Sequence, residues 1–162
     1  MTDWEAIIKQ HGRAVWQIAR RFLGNEGDAA DCFQETFVSA LKVSGRGRVR
    51  NWGGLLKMLA MRRALDGLRG RVREGNRCGA VADLSKVACG NPGPAEKAEA
   101  LELGERLRSA LGKLPPRQAE VLCLKYFDQM GDREIARQIG IKQGSVRAVL
   151  HRGREGLRQL LA

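Results

Sequence analysis

Apolar positions along this chain recur at helical spacing in nearly every segment, and no stretch alternates with the two-residue period of a strand. Trp4, Ile7, Ile8, Val15, Trp16, Ala19, Phe22 and Leu23 predict a first helix, with a bend at Gly12 and a stop at Gly24-Asn25. Ala29, Phe33, Phe37, Ala40 and Leu41 predict a second over about Asp28 to Lys42. VSGRGRVRN, residues 43–51, reads as a basic loop. Trp52 then opens a third helix to about Arg73, with Leu55, Leu56, Leu59, Leu65 and Leu68 as its apolar positions. From Gly75 to Gly93 the periodicity dissolves into a glycine-rich stretch that reads as a linker.

Helical spacing returns from Pro94 or Ala95 through Leu101, Leu103, Leu107 and Leu111, until Leu114-Pro115-Pro116 stops it. The next helix, RQAEVLCLKYF, should bury Val121, Leu122, Leu124 and Tyr126. Ile135, Ala136 and Ile139 make one short apolar face, Gly140 ends it, and Val146, Val149 and Leu150 make a second. Leu157, Leu160 and Leu161 are expected to close that core. The fold class predicted is all-α: two small helical domains joined by a flexible linker, the C-terminal one a helix-turn-helix. The boundaries expected are 1–76, 77–94 and 95–162.

The stretch Gly131 to Arg154 organises the functional reading. A short helix, a glycine turn and a second helix form a helix-turn-helix. Ala136 is small where the helices would cross, and Gly140 suits a turn that needs positive φ. Gln143, Arg147, His151 and Arg152 lie off the apolar face of the second helix, and Arg154 and Arg158 follow. A polar leading end with a basic flank is what a major-groove reader requires. The alternative is a surface hairpin that touches nothing.

Charge turns this into two footprints. The chain carries a formal net charge of +11 with 43% apolar residues, which favours a polyanionic partner. Residues 46–77 hold ten Lys or Arg against two Asp or Glu, and residues 141–162 hold five against one, while the rest is close to balanced. The basic loop and third helix suit a single strand, held by phosphate contact and by stacking on Trp52; core packing is the competing role for Trp52. No apolar run is long enough to span a bilayer, and the first residues carry acids where a signal peptide would be positive, so a cytoplasmic location is expected.

Cys32 and Cys123 fall in apolar helical stretches and read as small core residues. Cys78 and Cys89 lie in the glycine-rich linker, as bland free thiols or as reactive ones. His11 has no partner at ligand spacing and reads as a surface residue. Asp28, Asp31 and Glu35 form an acidic stripe at i, i+3 and i+7. It serves the helix dipole, forms part of a metal site that lacks further oxygen ligands, or docks a basic partner surface. No cofactor and no small-molecule substrate is implied.

Two stretches resemble one family, the sigma-70 family of bacterial RNA polymerase initiation factors, and most closely its small extracytoplasmic-function type. Gly24-Asn25 to Leu41 contains DAADCFQETFVSAL, similar to the family's D-A-x-D-x-x-Q-E-T-F helix. Leu114 to Leu160 contains LPPRQAEVL, EIARQIGI and GSVRAVLHRGREGL, similar to its C-terminal motif. Between them, NWGGLL and RALDGLR resemble its melting helix.

The resemblance implies that Asp28, Asp31, Gln34 and Glu35 dock on a coiled coil of core RNA polymerase. It implies that Arg46, Arg48, Arg50, Asn51, Trp52, Arg62, Arg63 and Arg69 act on the minus-10 promoter element and its melted non-template strand. Lys142, Gln143, Ser145, Arg147, Ala148, His151, Arg152 and Arg154 would bind the minus-35 duplex. Of these, Arg147, Ala148 and His151 would point toward base edges, and Arg152 and Arg154 toward phosphate. An anti-sigma factor is a further candidate partner.

Where the family often has Ser or Thr starting each helix of the motif, this chain has Gly131 and Lys142, which leaves Asp132 as the candidate cap of the first. The rival readings are a stand-alone helix-turn-helix regulator, which leaves the acidic helix unexplained, and a metal-dependent nuclease built on Asp28, Asp31 and Glu35.

Overall fold

The computed structural model describes residues 1–75 and 93–162. The expected linker 77–94 lies almost wholly outside the described residues, as do Cys78 and Cys89. The chain divides into two compact units, Met1–Asn91 and Pro92–Ala162. Among the described residues there are seven helices and no strand.

The first unit is a three-helix bundle of α1 (Trp4–Leu23), α2 (Glu26–Ser44) and α3 (Trp52–Gly75). Asp3 caps α1 by accepting from the Ala6 N–H at 3.1 Å, and Gly24 ends it at φ 78°, where a side chain would be strained. One residue later Asn25 caps α2, its Oδ1 accepting from the Asp28 N–H at 2.8 Å. The two-residue turn between α1 and α2 is therefore set by local chemistry. Ile7, Val15, Phe37, Ala40, Leu56 and Ala60 form the core, with Trp4, Phe33 and Trp52 packed against it.

α1 runs unbroken through Gly12. Gly12 is buried beside the Phe33 ring, whose Cζ would lie 3.6 Å from a Cβ at this position. Leu41 departs from expectation. It is exposed, because α1 and α3 cover only the face of α2 that carries Ala29, Phe37 and Ala40.

The second unit comprises α4 (Pro94–Lys113), α5 (Pro116–Tyr126), α6 (Asp132–Ile139) and α7 (Gln143–Leu161). Pro115 and Pro116 separate α4 from α5, and Pro116 takes the first helical position, where its missing N–H costs nothing. Val121, Leu122, Leu124, Ile135, Val146 and Leu150 make the buried centre. Two glycines of α7 face leucines of α5 and of the turn before it. A Cβ at Gly153 would lie 3.0 Å from Leu122 Cδ1, and one at Gly156 would lie 2.7 Å from Leu114 Cδ2.

Three apolar expectations fail here. Leu103, Tyr126 and Leu160 are all exposed, because burial in α4 reaches only Ala110, Leu111 and Gly112, and the ends of α5 and α7 run past the core.

The turn of the motif follows expectation. Gly140 sits at φ 78°, and the N–H groups of Gly140 and Ile141 both donate to the Ala136 carbonyl, at 2.9 and 3.0 Å. The capping expectation does not hold. Gly131 occupies the cap position of α6, with no side-chain hydrogen bond, and Asp132 is the first helical residue. Its carboxylate turns away to Lys125 and Arg147 instead.

Candidate nucleic-acid and partner interfaces

In the second unit, Val146, Leu150 and Gly153 lie at i, i+4 and i+7 on α7 and face the core. That rotation turns Gln143, Ser145, Arg147, Ala148, His151, Arg152 and Arg154 outward, and Lys142 at the cap is exposed as well. All eight residues expected at the minus-35 element therefore lie on one solvent-facing surface. Lys142 supplies no side-chain acceptor to the first turn, which leaves the positive end of the helix to an anionic group.

The Arg147 side chain is 85% exposed, and its Nε lies 3.5 Å from Asp132 Oδ2. The hydrogen bond from Lys125 holds the Asp132 carboxyl below its ordinary value, with Arg147 adding to the effect. Arg158 pairs with Glu155 on its own helix at 3.0 Å, which blunts its charge.

The basic region of the first unit is built differently. Arg46, Arg48 and Arg50 are exposed on the loop between α2 and α3. Asn51 does structural work, its Oδ1 accepting from the Gly54 N–H at 2.9 Å to cap α3. Trp52 is half-buried and lies edge-on to Trp4 with centroids 5.2 Å apart, so the core claims one side of its ring.

Arg63 is committed to the fold: Nε and Nη2 both donate to the Ser39 hydroxyl, at 3.1 and 2.9 Å. Arg62 and Arg69 are half-buried and engaged within the chain. Among the arginines expected at the minus-10 element, those of the loop share the outward disposition seen on α7, and Arg62, Arg63 and Arg69 do not.

The acidic stripe of α2 separates into two roles. Asp28 accepts from Arg71 Nε at 2.9 Å and from Asn25 Nδ2 at 3.0 Å, while Arg71 also reaches the Leu23 carbonyl. Burial pushes the Asp28 carboxyl upward, but the hydrogen bonds from Asn25 and Arg71 outweigh it and hold the carboxyl below its ordinary value. Asp28 is thus a fastener between the start of α2 and the end of α3.

Asp31, Gln34 and Glu35 are exposed, and the same side of α2 continues through Val38 and Leu41, at 52% and 54% exposure. A cleft of about 340 Å³ runs beside this stripe, lined by Asp31, Glu35, Asp66 and Gly67 among others. Val38 and Leu41 extend the exposed side of α2 beyond the expected residues. Their i+7 and i+10 spacing from Asp31 carries the signal, while apolar periodicity alone puts Leu41 on the core face.

The two described cysteines are inert. Burial pushes Cys32 up to about 11 and Cys123 to about 12, so neither is a thiolate near neutral pH. Among the described residues, no group of three or more His, Cys, Asp or Glu side chains is placed to hold a metal ion. No described helix is long and apolar enough to cross a membrane.

Comparison with known proteins follows the same two units. The family described as Sigma-70 region 2 matches residues 7–74, and Sigma-70, region 4 matches residues 104–157. The chain is 34% identical over its whole length to the ECF RNA polymerase sigma factor SigE of Mycolicibacterium smegmatis, and spans 63% of that protein's length. It is 32% identical to the RNA polymerase sigma factor CnrH of Cupriavidus metallidurans, over 96% of this chain and 84% of that one. Among solved structures, the sigma factor RpoE from Bartonella quintana, in complex with the anti-sigma factor NepR, gives a TM-score of 0.55 at 18% identity. That match covers 99% of this chain and 98% of that one, and it is a likeness of fold.

Proposed function

The chain belongs to the sigma-70 family, in its extracytoplasmic-function type, and from that premise we propose how its surfaces divide the work of a sigma factor. It binds core RNA polymerase and directs promoter-specific transcription initiation, without covalent chemistry of its own and in the cytoplasm.

The exposed part of α2, Asp31, Gln34 and Glu35 extended by Val38 and Leu41, docks the polymerase through a basic partner surface. The loop arginines Arg46, Arg48 and Arg50 hold the backbone of the melted minus-10 strand, and Trp52 offers its open edge to an unpaired base. On α7, Arg147, Ala148 and His151 face base edges of the minus-35 duplex while Lys142, Arg152 and Arg154 meet phosphates. The domains lie within 1–76 and 95–162, with 77–94 as tether. RpoE was solved with an anti-sigma factor, and we extend that class of partner to this chain.

One observation carries the reading. A single chain holds a region 2 match and a region 4 match in that order, each on its own compact unit. The decisive experiment is reconstitution with core polymerase on genomic DNA, followed by sequencing of transcript starts. Discrete starts sharing two spaced elements are expected; absence of core binding and of directed initiation would end the proposal. Glu35→Lys should weaken core binding and leave duplex binding by the second unit intact.

A further inference from the structure

Asp132 stands where a helix-starting acid would ordinarily serve the dipole, yet its two oxygens are held by side chains from two other helices. Oδ1 accepts from Lys125 Nζ at 3.0 Å on α5, and Oδ2 faces Arg147 Nε at 3.5 Å on α7. The carboxylate is mostly enclosed, at 19% side-chain exposure, whereas Arg147 remains 85% exposed. A pair this open contributes little to stability, so its consequence must be sought in what it does to the arginine.

The atom engaged is Nε. An arginine held at Nε keeps Nη1 and Nη2 for a bidentate contact, the geometry that reads guanine O6 and N7. Holding it there also removes part of the rotamer freedom that a long side chain would otherwise lose on binding.

We propose that Asp132 is a positioning residue for base recognition: it clamps Arg147 by Nε so that the guanidinium fork is presented to the major groove. Lys125 anchors the clamp by fixing the other oxygen. The helix packing sets the geometry, since Ile135 and Ala136 on α6 and Val146 and Leu150 on α7 are all buried and leave the two elements one register. This inference rests on the assignment of Arg147 to base edges made above, and it adds a residue that never touches DNA.

The test selects bound sequences from a randomised duplex pool with the full chain and its variants at fixed salt. Arg147→Ala should flatten the preference at one or two adjacent base pairs. Asp132→Asn should weaken the preference at those same pairs by roughly threefold or more. It should leave affinity for random duplex unchanged or higher, because a negative charge near the backbone is gone. Lys125→Gln, which frees the carboxylate's other oxygen, should weaken the preference at those same pairs to a lesser degree, and thermal unfolding of each variant reports any general loss of the fold.

Preserved preference in Asp132→Asn, or an equal loss at every position, overturns the clamp while leaving Arg147 as a base reader. No change at any pair in Arg147→Ala overturns the base reading itself. A second measurement needs no variant. In the free wild-type chain the Nε–H of Arg147 should show a higher NMR order parameter than that of Arg152, and equal mobility would sink the proposal.

Discussion

The two basic regions carry similar chemistry in the sequence and put it to different uses in the fold. On α7 the arginines stand outside a narrow apolar seam of Val146, Leu150 and Gly153, so the helix packs without them. On α3 the arginines join helices together: Arg63 satisfies the buried Ser39 hydroxyl of α2, and Arg71 ties Asp28 and the Leu23 carbonyl to the end of the same bundle. Positive charge therefore overstates the outward cationic surface of the first unit and represents that of the second more closely. The lesson is general: a cationic side chain is available to a ligand only when the fold does not need its hydrogen bonds.

That contrast can be broken in four ways. Arg147→Ala should cost ~1–3 kcal/mol of specific duplex binding and leave the melting temperature of the chain unmoved, as measured by titration and calorimetry. A fall in melting temperature would show that α7 is knit into its unit as α3 is.

Arg63→Ala should do the reverse. It removes two hydrogen bonds and strands the hydroxyl of buried Ser39, at roughly 1–2 kcal/mol of stability. Denaturant unfolding should reveal the loss, while duplex affinity of the second unit stays constant.

Asp28→Asn should cost roughly 0.5–1 kcal/mol near neutral pH, because the pair is half exposed. Here the sign of the pH dependence is informative. The folded Asp28 carboxyl titrates below its ordinary 3.8, so its contribution is complete above that value and is lost as pH falls through the folded one. Wild type and variant should converge in acid; a constant difference down to pH 2 would show that the carboxylate charge is not what stabilises.

The smallest effect belongs to Arg152→Ala. It should weaken all duplexes alike, reduce the slope of log K against log salt by about one, and change stability by less than ~0.5 kcal/mol. A loss confined to particular sequences would move Arg152 from phosphate to base.

Much of the site was legible before the fold. All eight minus-35 candidates are exposed on the second unit because helical periodicity separates a buried face from a free one, and that separation can be counted from Val146, Val149 and Leu150. The glycine turns were equally readable, since Gly24 and Gly140 act on their own neighbours in the chain, whereas α2 starts at Glu26, two residues before the expected Asp28, because Asn25 caps it. The minus-10 candidates were less so. Asn51 became a helix cap, Trp52 met Trp4, and Arg63 found Ser39, each through a contact that no local pattern announces.

By itself the sequence determined seven helical segments in two groups, the helix-turn-helix and its outward face, and the motifs that carry family membership. These follow from interactions between residues a few positions apart, whose geometry the backbone repeats. Only the tertiary structure decided which ends of each helix lie beyond the core, so that Leu41, Leu103, Tyr126 and Leu160 are exposed despite fitting an apolar period. It also decided which charges are spent inside the fold, placing Asp28 on Arg71 and Asp132 between Lys125 and Arg147. Burial and ion pairing depend on what a neighbouring helix brings within a few ångströms, and helical period carries no information about that neighbour.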